Sequence, residues 1–425
     1  MNCGLLRKDG AAFCLFFILL MVGSIFPPQQ FQSHAQTKLT SHAAQKSLAS
    51  SQTQSQAFKN IAPGVEYLQI TRGESSSDDT TGPWLINILR VDPSIASPKV
   101  FHAMDEGVGV ETTSSLAARH KAVAAINGGY FRTTGTYRGE PVGSLMLRGK
   151  LISEPHYDRA ALGLITQPDT TQILLGHLRF VGEISVGRRS GSPLTQPSKG
   201  AVRHAVNGLN RPRSKDELLV FTPEFHRTTL TTPDGAEAVV RNGRVVTVHD
   251  QEGSSEIPAD GFVISAVGNS REWLLSHMRP GARVSFSWRL KPLDPTQEAL
   301  WRRANTILGG GPQLVKDGKV DITTVQEKVL PAFRNDRHPR TAIAKLTSGM
   351  LLLITVDGRQ PGISVGMSLD MLANLLLEFG ADAAINLDGG GSTTMVVGDK
   401  VVNRPSDPTG ERPVSDAILV FPKRN

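Results

Sequence analysis

Short apolar runs bounded by turn residues recur along most of this chain, and they predict a fold built mainly from β-strands. The clearest run covers 84–91, and its apolar and β-branched residues are typical of a largely buried strand. Asn242-Gly243 separates two such runs and is a strong hairpin signal. Similar patterns predict strands at 122–126, 161–166, 217–222, 238–241, 244–249, 261–266, 283–288, 350–356, 383–387 and 417–421.

Helical periodicity is confined to a few segments. Thr113 can cap a short helix that runs to Arg119. Ser368 can cap a second helix, whose apolar side chains form one face before Gly380 ends it. Many strands with few helices predict an α+β fold of mixed β-sheets, with glycine-rich active-site loops at the strand ends.

The first residues have the composition of an export signal. Arg7 and Lys8 precede an apolar run at 11–26, and the small-residue pattern Ser33-His34-Ala35 follows it. Together these features predict a secretory signal peptide at 1–35. An uncleaved signal-anchor is the alternative, although the run is short for a membrane span.

The residues after the signal are polar and rich in Gln and Ser, so 36–60 is predicted to be a disordered linker. One catalytic domain is then expected at 61–425. Within it, 188–213 is rich in Gly, Pro and Ser and is predicted to be a surface loop. The expected location is periplasmic, in the cell envelope or extracellular, without stable membrane insertion once the signal is cleaved.

The charge and cysteine content narrow the possible partners. A formal net charge of +7 is spread along the chain without a dense basic block. It suits a phosphate, an anionic glycan or a membrane surface better than a nucleic acid, although a solvated basic surface explains most of it. Cys3 and Cys14 both lie in the predicted signal, so the mature chain would have no disulfides. The histidines between 145 and 288 lack metal-ligand spacing.

An aspartate followed by three glycines is the most distinctive stretch of the chain. Asp388 closes an apolar strand, where its carboxyl group could act as acid, base or metal ligand. The loop after it could offer free N–H groups to an anion. Its members are Gly389, Gly390, Gly391, Ser392 and Thr393. The alternative is a tight hairpin with Asp388 as a turn residue.

Two further glycine-rich elements repeat this design of a strand that leads into bare backbone. Their candidate binding residues are Asn127, Gly128, Gly129 and Tyr130 in one element, and Gly310 and Gly311 in the other. Asn127 is alternatively a turn residue that bonds its own backbone. Tyr130 could pack in the core or stack on a sugar ring.

Charged residues stand close to these elements in the sequence. Asp357 ends another apolar strand, as Asp388 does, and supplies a second carboxylate. Arg340 and Arg412 could each clamp a phosphate or a carboxylate through the planar guanidinium group. The alternative for Arg340 is a salt bridge with a structural aspartate.

With these residues assembled, the chain resembles the phosphodiester glycosidase (uncovering-enzyme) family. Six stretches occur in the family's order, at 126–131, 309–312, 339–342, 357–359, 386–393 and 412–415. The resemblance implies an exported hydrolase that cleaves between sugar C1 and the phosphate oxygen of an N-acetylglucosamine-phosphodiester-like substrate. An envelope or extracellular polysaccharide or glycan is the expected carrier.

This activity gives the candidate residues expected roles. Asp388 and Asp357 would stabilise an oxocarbenium-like sugar and supply a base or nucleophile, with the assignment between them open. Asn127 would orient the sugar or the water, and Arg340 and Arg412 would bind the phosphate. No cofactor is required by this scheme.

Two alternatives stay open at this point. Asp357, Asp388 and Asn127 carry oxygen ligands suited to calcium or magnesium, which would make the chain a metal-dependent phosphodiesterase that cleaves P–O. The other alternative is a non-catalytic glycan-binding protein of the envelope.

Overall fold

A computed structural model describes residues 57–74, 81–105, 107–187 and 201–423. The predicted signal at 1–35 and the linker up to residue 56 lie outside the described residues, as does 188–200 of the predicted surface loop. The first strand begins at Lys59, close to the predicted start of the domain at residue 61. Within the described residues, no helix is long and apolar enough to cross a membrane.

The described residues are mainly strand, with a few short helices. In chain order the strands are β1 (Lys59–Ala62), β2 (Val65–Arg72), β3 (Trp84–Val91), β4 (Ala96–His102), β5 (Ala124–Asn127), β6 (Leu145–Leu147), β7 (Lys150–Ser153), β8 (Ala160–Thr166), β9 (Thr171–Gly187), β10 (Val202–Val206), β11 (Gly208–Leu209), β12 (Leu218–Phe221), β13 (Ala236–Arg241), β14 (Arg244–Asp250), β15 (Gly261–Ala266), β16 (Arg283–Pro292), β17 (Thr306–Gly309), β18 (Gln313–Lys316), β19 (Lys319–Val320), β20 (Arg340–Leu346), β21 (Leu351–Val356), β22 (Ala381–Asn386), β23 (Met395–Val397), β24 (Lys400–Val401) and β25 (Asp416–Pro422). The helices are α1 (Thr113–His120), α2 (Asn269–His277), α3 (Glu298–Trp301), α4 (Pro331–Asn335) and α5 (Leu369–Glu378).

These strands form three sheets. One has eight strands in the order β1-β2-β3-β21-β20-β22-β18-β19, and another has five in the order β24-β23-β5-β25-β4. The longest follows the order β11-β12-β15-β13-β14-β16-β9-β8-β17-β6-β7, with β10 paired to β9. It is mixed through the parallel pair β11–β12. The result agrees with the expected fold of mixed sheets and few helices, in which strand dominates.

Helix α5 covers one face of the eight-stranded sheet. The hydroxyl of Ser368 accepts from the N–H of Met371 at 3.3 Å and caps the helix as predicted. Leu369, Leu372 and Leu376 pack into one buried cluster with side chains of β20 and β21. Burial of each leucine contributes about 2 kcal/mol, so the apolar stripe in the sequence is what holds this helix on the sheet.

The opposite face of that sheet packs against the five-stranded sheet. Leu89 of β3 and Leu353 of β21 share a buried cluster with Ile126 of β5 and Ile418 of β25. Leu162 of β8 belongs to the same cluster, so the longest sheet joins this core at β8. All three sheets therefore meet in one apolar interior.

Most of the predicted strands are confirmed. Strands β3 and β15 have the predicted bounds. Asn242 and Gly243 form the predicted hairpin turn between β13 and β14, with φ values of 47° and 69°. Both angles are positive, which is the geometry that favours Asn-Gly in such turns.

Two predicted details are wrong. The N-cap of α1 is Thr112, whose hydroxyl accepts from the N–H of Ser115 at 3.2 Å, whereas Thr113 is the first helical residue. The predicted loop at 188–213 contains strands, because 202–206 pairs along the edge of the long strand β9. An edge strand needs no continuous apolar run, so its polar sequence gave no strand signal.

Two glycines face the ring of Trp301, and they give a matched test of packing. A Cβ at Gly163 would lie 2.6 Å from the ring, whereas one at Gly176 would lie 3.5 Å from it. We expect Gly163→Ala to lower the free energy of unfolding by about 1–3 kcal/mol, the usual cost of overpacking. Gly176→Ala is the control and should cost less. Urea unfolding measures both, and equal losses would contradict the packing.

Candidate active site

The Asp388 loop is held where three chain segments meet. The N–H of Asp388 donates to the carbonyl of Gly128 at 3.1 Å, just after β5 ends. The N–H of Gly390 donates to the carbonyl of Pro339 at 2.9 Å, just before β20 begins. Strand β22 delivers the loop itself, through Asn386 and Leu387. The backbone of the Asp388 loop is therefore held by hydrogen bonds to both neighbouring segments.

Asn127 lies behind this loop and is fully buried. Its Nδ2 donates to the carbonyl of Asp388 at 2.7 Å. Its Oδ1 accepts from the hydroxyl of Thr341 at 2.9 Å and from the N–H of Thr394 at 3.1 Å. The structure thus gives Asn127 internal partners instead of the expected contact with sugar or water, and it makes Asn127 a positioning residue for Asp388.

Burial raises the pKa of the Asp388 carboxyl group to about 7. The negative charge of Asp416 raises this pKa further, while the Ser392 hydroxyl and the positive charge of Arg412 lower it. Burial outweighs the stabilising groups because the charged form loses more hydration than they return. A carboxyl group with this pKa exchanges its proton at neutral pH, which suits acid–base chemistry.

Asp357 is fully buried at the end of β21, as the sequence pattern predicted. Its Oδ1 accepts from Nδ2 of Asn403 at 3.0 Å, and its Oδ2 accepts from the N–H of Arg404 at 2.8 Å. Burial raises its pKa to about 6 against these hydrogen bonds. Both oxygens are used inside the protein, so Asp357 holds the segment around Asn403.

Asp416 is a buried carboxyl group that sequence reasoning missed. Its Oδ1 accepts from the N–H of Gly129 at 2.7 Å, and its Oδ2 accepts from the hydroxyl of Ser415 at 2.6 Å. It lies opposite His102 of β4 in the sheet, and burial raises the pKa of Asp416. The available signal was an aspartate that opens an apolar strand, whereas Asp388 and Asp357 each close one.

The second and third glycine elements do not present free N–H groups. Gly129 donates to Asp416, Gly310 to the carbonyl of Ala160 at 2.9 Å, and Gly311 to the carbonyl of Asn386 at 2.7 Å. The anion nests expected there are therefore not formed. The N–H of Gly128 is also used, since it donates to the Asp416 carbonyl at 2.9 Å.

Close approach explains why glycine is needed in these elements. A Cβ at Gly128 would lie 2.0 Å from Oδ1 of Asp416, and one at Gly311 would lie 2.2 Å from Oε2 of Glu327. Distances under 3 Å exclude any side chain without movement of the neighbouring group. The glycines thus allow buried carboxyl groups to reach the backbone.

Glu327 is a second buried carboxyl group that the sequence analysis missed. It accepts from the N–H of Gln313 at 2.8 Å, from the Thr323 hydroxyl at 2.5 Å and from Nε2 of His177 at 3.0 Å. These contacts anchor the third glycine element. The sequence carries no signal for them, because Glu327 and His177 are distant in the chain.

The hydroxyl group of Tyr130, in the second glycine element, forms a hydrogen bond with the third. Its hydroxyl donates to the carbonyl of Gly311 at 2.7 Å and accepts from Nδ2 of Asn386 at 2.6 Å. Burial raises the pKa of this phenol. The guanidinium of Arg159 lies 5.7 Å from the ring centroid. The structure therefore ties the Tyr130 hydroxyl into the protein, and its stacking on a sugar stays a prediction.

Arg340 is committed to the backbone, which corrects its expected use as a bidentate clamp. Its Nε donates to the carbonyl of Met367 at 2.8 Å. Its Nη2 donates to the carbonyls of Phe333 and Asp336, each at 2.8 Å. The side chain is buried over the ring of Phe333. A planar fork occupied in this way cannot bind a phosphate through two parallel hydrogen bonds.

Arg412 stands beside the Asp388 loop and forms a bidentate ion pair with Asp407, with distances of 2.7 and 2.8 Å. A Cβ at Gly391 would lie 2.2 Å from Nη2 of Arg412, which places the guanidinium against the turn. A cleft of about 240 Å³ opens here, lined by Phe131, Thr133, Arg138, Arg412 and Pro413. Arg138 is exposed and was not considered in the sequence analysis.

Ser392 and Thr393 are buried under the turn. The hydroxyl oxygens of Thr393 and Thr341 lie 3.3 Å apart. The part of this loop that reaches solvent consists of Asp388, Gly389 and Gly390. Across the described part of the chain, no three His, Cys, Asp or Glu side chains come together in a cluster that could hold a metal ion.

Comparison with known sequences agrees with the resemblance to a known family. Residues 234–421 match the phosphodiester glycosidase family. Mouse N-acetylglucosamine-1-phosphodiester alpha-N-acetylglucosaminidase is 26% identical over 179 residues, which are 40% of this chain and 33% of that protein. An uncharacterised prophage-derived protein of Bacillus subtilis is 39% identical over 107 residues, 25% of this chain and 16% of that protein. The chain thus spans a third or less of the length of these relatives.

A solved structure of a Burkholderia pseudomallei protein has a similar fold. It covers 87% of this chain and 96% of its own, with a TM-score of 0.70 at 24% sequence identity. Identity this low supports the fold alone. Through residues 234–421, this chain is similar to the phosphodiester glycosidase family, the family that its motifs resemble.

Proposed function

We propose that this chain hydrolyses the glycosidic bond of a sugar-1-phosphodiester, with Asp388 as the reacting carboxyl group. The observation that carries the proposal is the position of Asp388. It lies at the solvent side of a rigid turn, its pKa is raised to about 7, and Arg412 stands next to the same turn. The mouse relative is named for removing N-acetylglucosamine from a phosphodiester, which supports this class of substrate.

The chemistry of the substrate fits these groups. A phosphodiester carries one negative charge, which the guanidinium of Arg412 attracts. Phosphate is a good leaving group, so the reaction needs little help from an acid. The harder step is attack at C1 of an oxocarbenium-like sugar, which needs a base that activates water or a carboxylate nucleophile. Asp388 supplies either function in its ionised form.

The other candidates support Asp388 in this scheme. The side chain of Asn127 donates a hydrogen bond to the carbonyl of Asp388. The carboxyl group of Asp357 accepts hydrogen bonds from the segment at Asn403 and Arg404. We propose that Asp357 shapes the site through this segment, and that the buried charge of Asp416 adjusts the proton affinity of Asp388. Both carboxyl groups then act without touching the sugar.

The fate of heavy oxygen from labelled water tests the reaction type. Hydrolysis of a sugar-1-phosphodiester in this water should place the label in the sugar, because C–O is the bond that breaks. Label in the phosphate would instead mean P–O cleavage by a phosphodiesterase. Absence of turnover across a panel of sugar-1-phosphodiesters would favour a glycan-binding protein.

Asp388→Asn should lower turnover by about a hundredfold or more, the scale of a lost acid–base group. Asn keeps the shape of the side chain but has no basic oxygen. Asp399→Asn is the matched control, since Asp399 is exposed in the β23–β24 turn. Steady-state kinetics of both variants give the comparison, and near-normal turnover by Asp388→Asn would refute the role. A chelator added to the wild-type assay separates a base from a metal ligand.

The same variant should not lose stability. Because the pKa of Asp388 is raised to about 7 in the folded chain, and is about 3.9 for an unfolded aspartate, the folded state binds the proton more tightly. The cost of the ionised group therefore grows as the pH rises between these values. Asp388→Asn should melt like the wild type at about pH 4 and at a higher temperature at about pH 8.

The two arginines should respond differently to replacement by lysine. Arg340→Lys leaves buried carbonyls without donors, so its main effect should be a loss of about 1–3 kcal/mol of stability. Arg412→Lys should mainly raise KM, because an ammonium group cannot keep the bidentate pair with Asp407 that holds this positive charge beside the turn. Thermal melts and kinetics on one phosphodiester distinguish the two effects. A wild-type KM for Arg412→Lys would make its ion pair with Asp407 purely structural.

Export is part of the proposal, and it rests on the pattern of the first residues. The mature protein should begin just after Ala35. N-terminal sequencing of protein recovered from the culture medium or envelope gives the answer. Recovery with Met1 intact would favour the signal-anchor.

A further inference from the structure

Arg359 lies over the Asp388 loop, and neither the family match nor the sequence analysis gives it a role. It follows Asp357 and Gly358 at the end of β21, with φ of 62°. Its Nη2, Nη1 and Cζ lie 3.2, 3.3 and 3.5 Å from the point where a Cβ at Gly390 would stand. The guanidinium is therefore in contact with the turn on the face where Gly390 has no side chain.

The charge of Arg359 is not neutralised by a carboxylate within the part of the chain that the structure describes. Its hydrogen-bond partner there is Nδ1 of His338, at 3.4 Å from Nη2. His338 is held neutral, because burial and then the charges of Arg340 and Arg359 lower its pKa. The side chain of Arg359 is exposed, so its remaining N–H groups face solvent.

The other two arginines near this turn differ from Arg359 in this respect. Arg340 donates to three backbone carbonyls, and Arg412 is paired with Asp407 through both arms of its fork. Among these three, Arg359 alone offers an uncompensated positive charge to a ligand. Anions bind best where a guanidinium is exposed and has no competing carboxylate.

We propose that Arg359 binds the phosphate group of the substrate over Gly390, with Arg412 on the other side of the turn. The inference rests on the proposed function, since it names the residue that recognises the diester. Gly390 and Gly391 are consecutive, so the guanidinium of Arg359 at one and the Arg412–Asp407 ion pair at the other flank one small surface, on which Arg359 carries the unpaired charge. Asp388 opens the same turn, which places a sugar attached to this phosphate beside the reacting carboxyl group.

Glycine at residue 390 is part of this surface. A side chain there would press against the guanidinium of Arg359 and crowd the surface beside it, where the phosphate would bind. Gly390 also has φ of 61°, a conformation that other residues adopt with strain. Both requirements favour bare backbone at this position.

Binding and turnover of three full-length variants test the proposal. Arg359→Gln removes the charge and keeps a side chain of similar length, and Arg359→Lys keeps the charge without the fork. Arg289→Gln is the control, because Arg289 is exposed on β16 and loses the same charge. Calorimetric titration with dimethyl phosphate and with inorganic phosphate reports anion binding without any turnover. Kinetics on a sugar-1-phosphodiester report its effect on KM and kcat.

We expect Arg359→Gln to weaken dimethyl phosphate binding and to raise KM by about tenfold or more, the scale of a lost charged hydrogen bond. Arg359→Lys should fall between this variant and the wild type, and Arg289→Gln should match the wild type. Tighter binding of inorganic phosphate than of the diester would support the anion site and show that it prefers a dianion, the charge state of the phosphomonoester that hydrolysis releases. Equal losses in Arg359→Gln and Arg289→Gln would overturn the proposal, since the effect would then be one of net charge.

These measurements distinguish failure of the proposed hydrolase function from failure of the proposed anion site. A wild type that binds dimethyl phosphate through Arg359 but cleaves no sugar phosphodiester would keep the anion site and reject the hydrolase. A wild type that cleaves the substrate while Arg359→Gln keeps its KM and its dimethyl phosphate affinity would reject the anion site alone. Thermal melts of Arg359→Gln confirm that the variant is folded in either case.

Discussion

The site depends on one buried amide, the side chain of Asn127. Its oxygen accepts from Thr341 and from the N–H of Thr394, and its nitrogen donates to the carbonyl of Asp388. These partners belong to β20, to the segment before β23, and to the loop after β22. Loss of any one would leave a buried polar group unpaired, at a cost of about 1–3 kcal/mol. The three segments are therefore fixed relative to one another, and the Asp388 loop keeps one position without relying on its own flexible glycines.

The glycines serve this arrangement by allowing contact. A carboxyl group of Asp416 against Gly128, a carboxyl group of Glu327 against Gly311, and a guanidinium of Arg412 against Gly391 all occupy space that a Cβ would fill. Each contact brings a charged side chain to the backbone of a loop. Glycine content in these elements therefore reports close packing of charged groups, and Gly389 and Gly390 are the glycines of these elements that reach solvent.

The strands were predictable from sequence because their apolar runs are local. Strand β3 and the helix α5 follow from residues that are adjacent or three to four apart, and their burial confirms the pattern. The site was predictable in part. Asp388 and Asp357 were found because both close an apolar strand. The partners of Arg340 and Asn127 were not predictable. Chain packing decides that Arg340 donates to the carbonyl of Met367 and that Asn127 accepts from the hydroxyl of Thr341.

Asp416 and Arg359 could not be identified as site residues from the sequence, for the same reason. The charge of Asp416, at the start of β25, raises the pKa of Asp388 through space. The sequence gives no sign that these two carboxyl groups are close together. Arg359 stands two residues after Asp357 and was passed over, since a sequence shows which arginines exist but not which of them lack a counter-charge. The distinction between a structural and a free guanidinium requires the list of its neighbours in space.

Anion binding and the proton affinity of Asp388 are coupled through the same small surface. A phosphate placed over the turn adds negative charge beside Asp388 and would raise its pKa above the value of about 7 set by burial. Arg412 acts in the opposite direction, and so does any further guanidinium that contacts the phosphate. A base must be ionised when its substrate is bound, so the positive charge at this turn has to exceed what the phosphate alone requires. Arg359 would supply the charge that balances the diester, while Arg412, although paired with Asp407, lowers the pKa of Asp388 from its place beside the turn.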